Sequence, residues 1–178
     1  MDLKENIVAR ETVFSGKIFS VEHMDITLGD GSTGIRQVVR NPGASAVVAL
    51  NGDGEIALVR QYRIAIEQPL YEIPAGKLDH GEDPFLCAKR ELQEETGLMA
   101  NTWQKLTAMY ASPGFCDEVL HIYLAQDLIE GEACPDEGEF LTLSWMPLTE
   151  ANEKILKGEI RDAKTIIGVL MAKARISK

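Results

Sequence analysis

The chain has 178 residues, which is enough for one domain of ordinary size and a small additional segment. Its 18 Lys and Arg residues against 28 Asp and Glu residues give a formal net charge of -10 at pH 7, which disfavours broad binding to nucleic acids. Because the three cysteines have neither disulfide nor metal-ligand spacing and no apolar run approaches the ~20 residues of a membrane span, we expect a cytoplasmic protein with reduced thiols that binds no membrane.

The N-terminal part of the chain predicts short β-strands. Loose alternation over 17–27, a glycine-rich turn and a strand-like segment at 35–40 indicate a β-hairpin. The turn sequence Asn41-Pro42-Gly43 follows it. We therefore expect a domain boundary near residue 43, with a small N-terminal β segment at 1–43 and the main domain at 44–178.

The main domain begins with strands of more buried character. The apolar run 46–50 and the segment 55–62 flank an Asn-Gly-Asp-Gly turn and predict a second hairpin. Asp83 and Pro84 indicate the start of a helix, and Gly97 indicates its end. The remaining predictions are helices at 84–96, 149–157 and 163–173 and strands at 103–110, 119–124 and 140–145, with Trp103 and Trp145 in the core. Mixed strands with helices packed against them predict a layered α/β domain.

Three glutamates of the first predicted helix carry the strongest chemical signal. Glu91, Glu94 and Glu95 are spaced i, i+3 and i+4, so their side chains converge on one helix face. They repel one another and oppose the negative end of the helix dipole, and a bound divalent cation would relieve both costs. Hard oxygen ligands favour Mg²⁺ or Mn²⁺. The alternative for an isolated cluster of this kind is a solvated acidic face.

The residues around this cluster complete a longer pattern, Gx5Ex7REUxEExGU, in which U is aliphatic. Its fixed positions are filled by Gly76, Glu82, Arg90, Glu91, Glu94, Glu95 and Gly97, with Leu92 and Leu98 at the aliphatic places. This sequence resembles the box of the Nudix hydrolases without a departure. The resemblance implies an α/β class fold, an α/β/α sandwich around a mixed sheet, with a small N-terminal β segment added.

The resemblance also implies roles for the residues of the box. Two or three metal ions, Mg²⁺ or Mn²⁺, would bind to the Ala75 carbonyl, Glu91, Glu94 and Glu95. Arg90 would orient the acidic residues by charge-assisted hydrogen bonds. The alternative for Arg90 is an exposed i to i+4 pair with Glu94.

Four segments outside the box resemble the ADP-ribose pyrophosphatase branch of the family. They are 58–63, 72–77, 112–115 and 162–165, and the third places Pro113 sixteen residues after Gly97. The implied activity is Mg²⁺-dependent hydrolysis of the ADP-ribose pyrophosphate to AMP and ribose 5-phosphate. Taken alone, Pro113-Gly114 is also typical of a turn, and Asp162 of a helix N-cap.

Other functions remain compatible with the box. The same metal site could hydrolyse another nucleoside diphosphate sugar such as GDP-mannose, because the box does not specify the group attached to the diphosphate. A catalytically silent ADP-ribose sensor is the alternative from another class, and the intact glutamates argue against it. Hydrolysis of 8-oxo-dGTP ranks lower, because such enzymes lack the N-terminal segment.

Substrate-binding residues are expected on both sides of the predicted boundary. By resemblance, Arg63 contacts substrate phosphate or the terminal ribose, and Arg40 reaches the same substrate from the N-terminal strands; arginine suits this because its fork pairs with phosphate oxygens at two points. Some relatives stack adenine between tryptophans, at places that here hold Ile18 and Ile35. The full expected set is Arg63, Arg40, Ile18, Ile35, Pro113 and Gly114.

The loop 131–139 is expected to supply the base that activates water. By resemblance, Glu139 occupies the place of the catalytic glutamate, and Glu137 is the second candidate. The alternative is a solvated acidic loop.

The N-terminal segment predicts self-association. Residues 1–43 are too few to bury a core alone, so they should pack on a neighbour. Related enzymes are homodimers with swapped N-terminal strands, and we expect the same here.

Overall fold

The computed structural model describes residues 3–134, 138 and 140–176. The chain divides into two compact units. One holds the chain up to Gly43 together with Met109–Val119, and the other holds Ala44–Ala108 and the chain from Leu120 onward. None of the described helices is long and apolar enough to cross a membrane.

The N-terminal unit contains an antiparallel sheet of three strands, β1 (Asn6–Ser15), β2 (Ser20–Thr27) and β3 (Thr33–Arg40), in the order β1-β2-β3. Strands β2 and β3 are the predicted hairpin, and β1 is an additional strand. Val39 of β3 joins the segment Met109–Val119 to this sheet. Its N–H donates to the Phe115 carbonyl (2.7 Å), and its carbonyl accepts from Asp117 N (3.2 Å). This non-local pairing explains why 109–119 belongs with the N-terminal strands.

In the described part of the chain, the second unit contains two sheets and three α-helices. Its strands are β4 (Ala44–Ala49), β5 (Glu55–Arg63), β6 (Gln68–Glu72), β7 (Ala75–Lys77), β8 (Leu98–Tyr110), β9 (Val119–Glu130) and β10 (Thr142–Pro147). The last two residues of β8 and the first residue of β9 already belong to the N-terminal unit. The helices are α1 (Pro84–Thr96), α2 (Leu148–Leu156) and α3 (Ala163–Ile176). The sheet orders are β10-β5-β6 and β7-β4-β9-β8. Strand β4 runs parallel to β9 and antiparallel to β7, so the sheet is mixed.

The predicted second hairpin is wrong in its pairing. Both strands form, but β4 and β5 lie in different sheets and share only the isolated bridge between Leu50 and Ile56. Because β7 and β9 occupy the two edges of β4, that strand has no edge left for β5.

Alternate residues of β4 face two different helices. Val47 packs in one buried cluster with Ala88 and Leu92 of α1. On the opposite face, a methyl group added at Gly168 of α3 would lie 2.8 Å from Cγ2 of Val48, so helix and sheet are in close contact. Strands have a period of two, so consecutive residues point to opposite faces. The layers are therefore helix, sheet and helix, which confirms the predicted α/β class.

The two tryptophans differ from each other in burial. Trp103 is partly buried against the α1 cluster, as predicted. The prediction of a core position for Trp145 is wrong, because this side chain is 39% exposed. It lies on β10, which is an edge strand of its sheet among the described strands.

Helix α1 begins and ends where the sequence predicts. The Asp83 carboxylate accepts from the N–H groups of Phe85 (2.9 Å) and Leu86 (3.2 Å), which satisfies two donors of the first turn. Gly97 ends the helix with φ 73°, a left-handed conformation that glycine adopts without strain. These local signals fix the register of the helix that carries the box glutamates.

Loss of this cap should destabilise the protein measurably. We expect Asp83→Ala to lower the free energy of unfolding by about 1 kcal/mol, because two amide donors lose their acceptor. The matched control Asp53→Ala, in an exposed turn, should change it by less than about 0.5 kcal/mol. Urea unfolding followed by circular dichroism measures both. Equal losses in the two variants would contradict the capping role.

Candidate active site

The three glutamates of α1 do not form a solvated face. Glu91 and Glu95 are 9% and 8% exposed, and Glu94 is partly exposed. Charged side chains are seldom this buried unless they are paired. The alternative of a solvated acidic face therefore fails for two of the three residues.

Arg90 links the carboxylates of the box. Its Nε and Nη2 donate to the two oxygens of Glu82 (3.0 and 2.9 Å). Its Nη1 donates to Glu91 Oε1 (2.6 Å) and Glu94 Oε2 (2.9 Å). The pair with Glu94 is thus one contact of several, and Arg90 organises a cluster of three carboxylates.

The same contacts set the charge state of Glu82. Hydrogen bonding to Arg90 lowers the pKa of this carboxyl from 4.5 to about 2, against the opposing effect of burial. The neighbouring Cys87 thiol behaves in the opposite way, because burial raises its pKa to about 12. At neutral pH the site therefore combines an ionised Glu82 with an inert thiol.

Strand β7 and helix α1 approach each other closely at Gly76. A Cβ atom placed there would lie 1.9 Å from Cδ and Oε1 of Glu91, so the carboxylate occupies the space of the missing side chain. One residue earlier, Ala75 N donates to Oε2 of Glu95 (3.0 Å). The glycine of the box is therefore required by packing, and β7 fixes two of the three glutamates.

The chemistry of these donors fits a hard divalent cation. Side-chain oxygens converge beside a backbone that carries no side chain at Gly76. Among the described residues, no group of three or more His, Cys, Asp or Glu side chains is placed to hold a metal ion by itself. Mg²⁺ usually binds to one or two carboxylates and completes its shell with water and substrate oxygens, so an open cluster suits it.

Arg63 lies at the end of β5 in the second unit. Its Nε and Nη2 donate to Oε1 and Oε2 of Glu72, both at 2.7 Å, and its side chain is 42% exposed. The hydrogen bonds to Glu72 are the main cause that raises the pKa of Arg63. Glu72 thus fixes one edge of the guanidinium group, and the side chain as a whole remains partly exposed.

The expected residues of the N-terminal unit fall into two places. Pro113 and Gly114 line a pocket of about 280 Å³ together with Arg40, Tyr110 and Phe115. Ile35 lines a different depression, whose described lining does not include Ile18. The structure therefore groups Arg40 with Pro113 and Gly114, and it does not group Ile18 with Ile35.

Arg40 and the Pro113 segment also make contacts within their own unit. The Arg40 Nε donates to Glu22 (2.8 Å) and Nη1 donates to Asp117 (2.9 Å). The segment forms a turn, in which Phe115 N and Cys116 N donate to the Ser112 carbonyl at 3.1 and 2.9 Å. Pro113 and Gly114 therefore lie in a turn, as their dipeptide sequence indicates.

Glu139 and Glu137, the candidates for the base, lie outside the described residues.

Sequence reasoning missed a buried charge cluster around Glu72. This residue is 1% exposed, and Lys164 Nζ donates to its carboxylate and to Asp162 Oδ1 (3.1 Å). Asp162 also accepts from Thr165 N (2.9 Å), which is the N-cap role weighed above. The available signal was the match of 72–77 and 162–165 to the same branch, two segments that the fold brings together.

Comparisons with known proteins identify a family and several similar proteins. The family model described as NUDIX domain matches residues 39–167. The chain is 41% identical over 169 residues to the ADP-ribose pyrophosphatase of Bacillus subtilis (strain 168), covering 94% of this chain and 91% of that protein. It is 42% identical over 168 residues to the methanol dehydrogenase activator of Bacillus methanolicus, covering 93% and 91%. A crystal structure of an ADP compounds hydrolase superposes with a TM-score of 0.85 at 26% identity, covering 98% of this chain and 95% of that chain.

The low pKa of Glu82 predicts a pH-dependent contribution to stability. The pKa in the folded protein lies below its usual value, so the contribution is present above about pH 4.5 and is lost as the pH falls through about 2. At pH 6, we expect the free energy of unfolding of Glu82→Gln to be about 2 kcal/mol lower than that of the wild type. This difference should shrink as the pH is lowered from 5 to 3.

Urea unfolding at pH 6, 5, 4 and 3 measures the effect. Glu153→Gln, which changes an exposed glutamate of α2, is the control and should show no such trend. A Glu82→Gln difference that is constant over this range would contradict the assignment to the Arg90 pair.

Proposed function

The chain belongs to the Nudix family, and on that premise we propose that it hydrolyses the pyrophosphate of ADP-ribose to AMP and ribose 5-phosphate. The observation that carries the proposal is the cluster of box glutamates on α1, held by Arg90 and by the backbone of β7. The similarity to an ADP-ribose pyrophosphatase over 94% of the chain supports the choice of substrate.

In this proposal, the metal ions are Mg²⁺, two or three in number, with Mn²⁺ as the second candidate. They would be held by the Ala75 carbonyl, Glu91, Glu94 and Glu95. When bound, Mg²⁺ supplies positive charge that neutralises the pyrophosphate. The task of Arg90 is to keep Glu82 ionised and to orient the carboxylates, which its contacts with Glu82, Glu91 and Glu94 support.

We assign the general base to Glu139, with Glu137 as the second candidate. The chain that leads to these residues is tied to the end of the box helix, since Gly131 N donates to the Gly97 carbonyl (2.8 Å) and Cys134 N donates to the Glu94 carbonyl (3.0 Å). The described end of this loop is therefore attached to the box helix, and the two glutamates follow it in the sequence. The base would take a proton from the attacking water.

The same proposal assigns the substrate-binding residues. Arg63 binds a phosphate or the terminal ribose. The N-terminal segment, residues 1–43, is assigned the base side of the substrate through Arg40, Ile18 and Ile35. Pro113 and Gly114, which line a pocket with Arg40, are assigned to the same part of the substrate. The exposed apolar side chains of Ile18 and Ile35 are suited to contact a base, although they provide less stacking than an aromatic ring would.

The N-terminal segment is also proposed to mediate homodimerisation with exchange of its strands. Every residue of β1 is exposed, including Ile7, Val8, Val13 and Phe14. A strand with this many exposed apolar residues is unusual for a surface in contact with water alone. A second copy of the chain would cover it.

A panel of diphosphates tests the activity. ADP-ribose, ADP-glucose, GDP-mannose, diadenosine polyphosphates and 8-oxo-dGTP are offered with Mg²⁺, and phosphate is measured after coupling to a phosphatase. We expect ADP-ribose to give the highest kcat/KM. A preference for GDP-mannose would retain the metal chemistry and reject the substrate assignment, and no hydrolysis of any compound would favour a binding protein.

Variants establish that the activity arises at the box. Glu95→Gln should lower kcat by more than about 100-fold, because it removes a charge at the proposed metal site. The matched control Glu153→Gln should retain wild-type rates. A Glu95→Gln protein with more than a tenth of the wild-type turnover would reject this site.

The oligomeric state is tested by light scattering during size-exclusion chromatography. We expect a mass of twice 19.6 kDa for the wild type. Val8→Asp should shift the population towards monomer, because it places a charge on the exposed apolar strand. A monomeric wild type would contradict the dimer.

A further inference from the structure

The most unusual charged group outside the box is Glu72 at the end of β6. It is 1% exposed, and its carboxylate accepts hydrogen bonds from Nε and Nη2 of Arg63 and from Nζ of Lys164. Burying charges is costly, and apolar residues of similar volume often stabilise a protein equally well. Stability alone therefore does not account for two cations on one buried carboxylate.

The geometry of Arg63 leaves one edge of its guanidinium available. The group is planar and carries five N–H donors in a fixed fork. Glu72 takes the Nε and Nη2 edge, and among the described residues none accepts a hydrogen bond from Nη1. The side chain is 42% exposed. A second anion can therefore bind to the edge formed by Nη1 and Nη2, which matches phosphate oxygens in two places.

This open edge lies within electrostatic reach of the box. The negative charge of Glu95 is among the contributions that raise the pKa of Arg63, after the hydrogen bonds to Glu72 and the charges of Glu72 and Asp162. A short backbone connection joins the two sites, because Glu72 is followed by Ile73, Pro74 and Ala75, and Ala75 N donates to Glu95. An anion bound by Arg63 would therefore lie in the field of the box carboxylates.

Lys164 is held in place by the first turn of α3. Its side chain is 11% exposed and donates to Asp162 as well as to Glu72. Asp162 Oδ2 accepts from N and Oγ1 of Thr165 (2.9 and 2.6 Å), and Thr165 Oγ1 accepts from Ile73 N (2.8 Å). The lysine thus shares the charge of Glu72 from a fixed position. Its presence prevents Glu72 from neutralising Arg63 completely.

We propose that Glu72, with Lys164, is a positioning residue that aims the open edge of Arg63 at an anionic phosphate group of the substrate. The inference rests on the proposed hydrolysis of a nucleoside diphosphate sugar. Glu72 and Lys164 act only through Arg63 and do not touch the substrate. Their effect should therefore fall on substrate binding and should depend on Arg63.

A double-mutant cycle tests this dependence. Glu72→Gln should raise KM for ADP-ribose by about 10-fold and change kcat by less than about 3-fold, because Arg63 loses the bidentate partner that orients it. Arg63→Lys keeps the charge without the fork and should raise KM by a similar factor. In the Arg63→Lys background, adding Glu72→Gln should change KM by less than about 2-fold.

Two further variants distinguish a loss of Arg63 positioning from a nonspecific loss of substrate binding. Lys164→Met should raise KM by about 3-fold or more, because Glu72 then neutralises Arg63 more fully. Arg60→Lys is the matched control, since Arg60 lies on the opposite face of β5, 5.6 Å from the centre of the Tyr71 ring, and should keep the wild-type KM. If Glu72→Gln does not fold, Glu72→Asp replaces it, keeping the charge with a shorter reach, and should also raise KM.

Binding measured without turnover provides an independent readout. Calorimetric titration with a methylene analogue of ADP-ribose, which cannot be cleaved, should give dissociation constants that change in parallel with KM. A KM unaffected by replacement of Glu72, or additive effects of the Glu72 and Arg63 changes, would overturn the inference while wild-type hydrolysis of ADP-ribose left the proposed function intact. If the wild type prefers another diphosphate of the panel, the cycle is measured with that compound under the same criteria. A wild type that neither hydrolyses nor binds any of them would overturn both.

Discussion

The contact of Arg90 with three carboxylates is the interaction on which the box depends. Glutamates spaced i, i+3 and i+4 at a helix C-terminus repel one another and oppose the helix dipole. Arg90 compensates part of this repulsion by binding Glu91 and Glu94 on one nitrogen and Glu82 on the other two. The Ala75 N–H supplies a further donor to Glu95. The fixed residues of the box therefore form one packed unit, in which the helix, β7 and the preceding loop hold each other in register.

Two arginines of this acidic chain are each bound by more than one carboxylate. Arg40 is paired with Glu22 and Asp117, and Arg90 with the box carboxylates. Each of these guanidinium groups is engaged by acidic residues on more than one side. Arg63 differs, because its described acceptor, Glu72, occupies one edge only and is shared with Lys164. A chain of net charge -10 can therefore still offer a positive group to an anionic ligand at a defined place.

Local signals in the sequence predicted the parts of the fold that depend on local chemistry. The bounds of α1 followed from Asp83, Pro84 and Gly97, because caps act within one helical turn. Strand pairing is non-local and could not be predicted in the same way. The split of β4 and β5 into different sheets depends on β7 and β9, and the attachment of 109–119 to the N-terminal unit depends on contacts of Val39. The predicted core position of Trp145 was wrong because its exposure depends on non-local strand pairing, which places β10 at the edge of its sheet.

The site shows the same division between local and non-local information. The box glutamates and Arg90 were predicted because their partners lie within one helix and the segment just before it. A glutamate in a strand-like run such as Leu70-Tyr71-Glu72 is expected at the surface, since charged residues are rarely buried. Its burial depends on Lys164, ninety-two residues further along the chain. The Ile73 N–H bond to Thr165 spans the same distance and anchors the start of α3 to the segment that ends at Ala75. Any shift of α3 would therefore disturb both the support of Arg63 and the backbone that holds Glu95, which couples the two clusters mechanically through four residues of the chain.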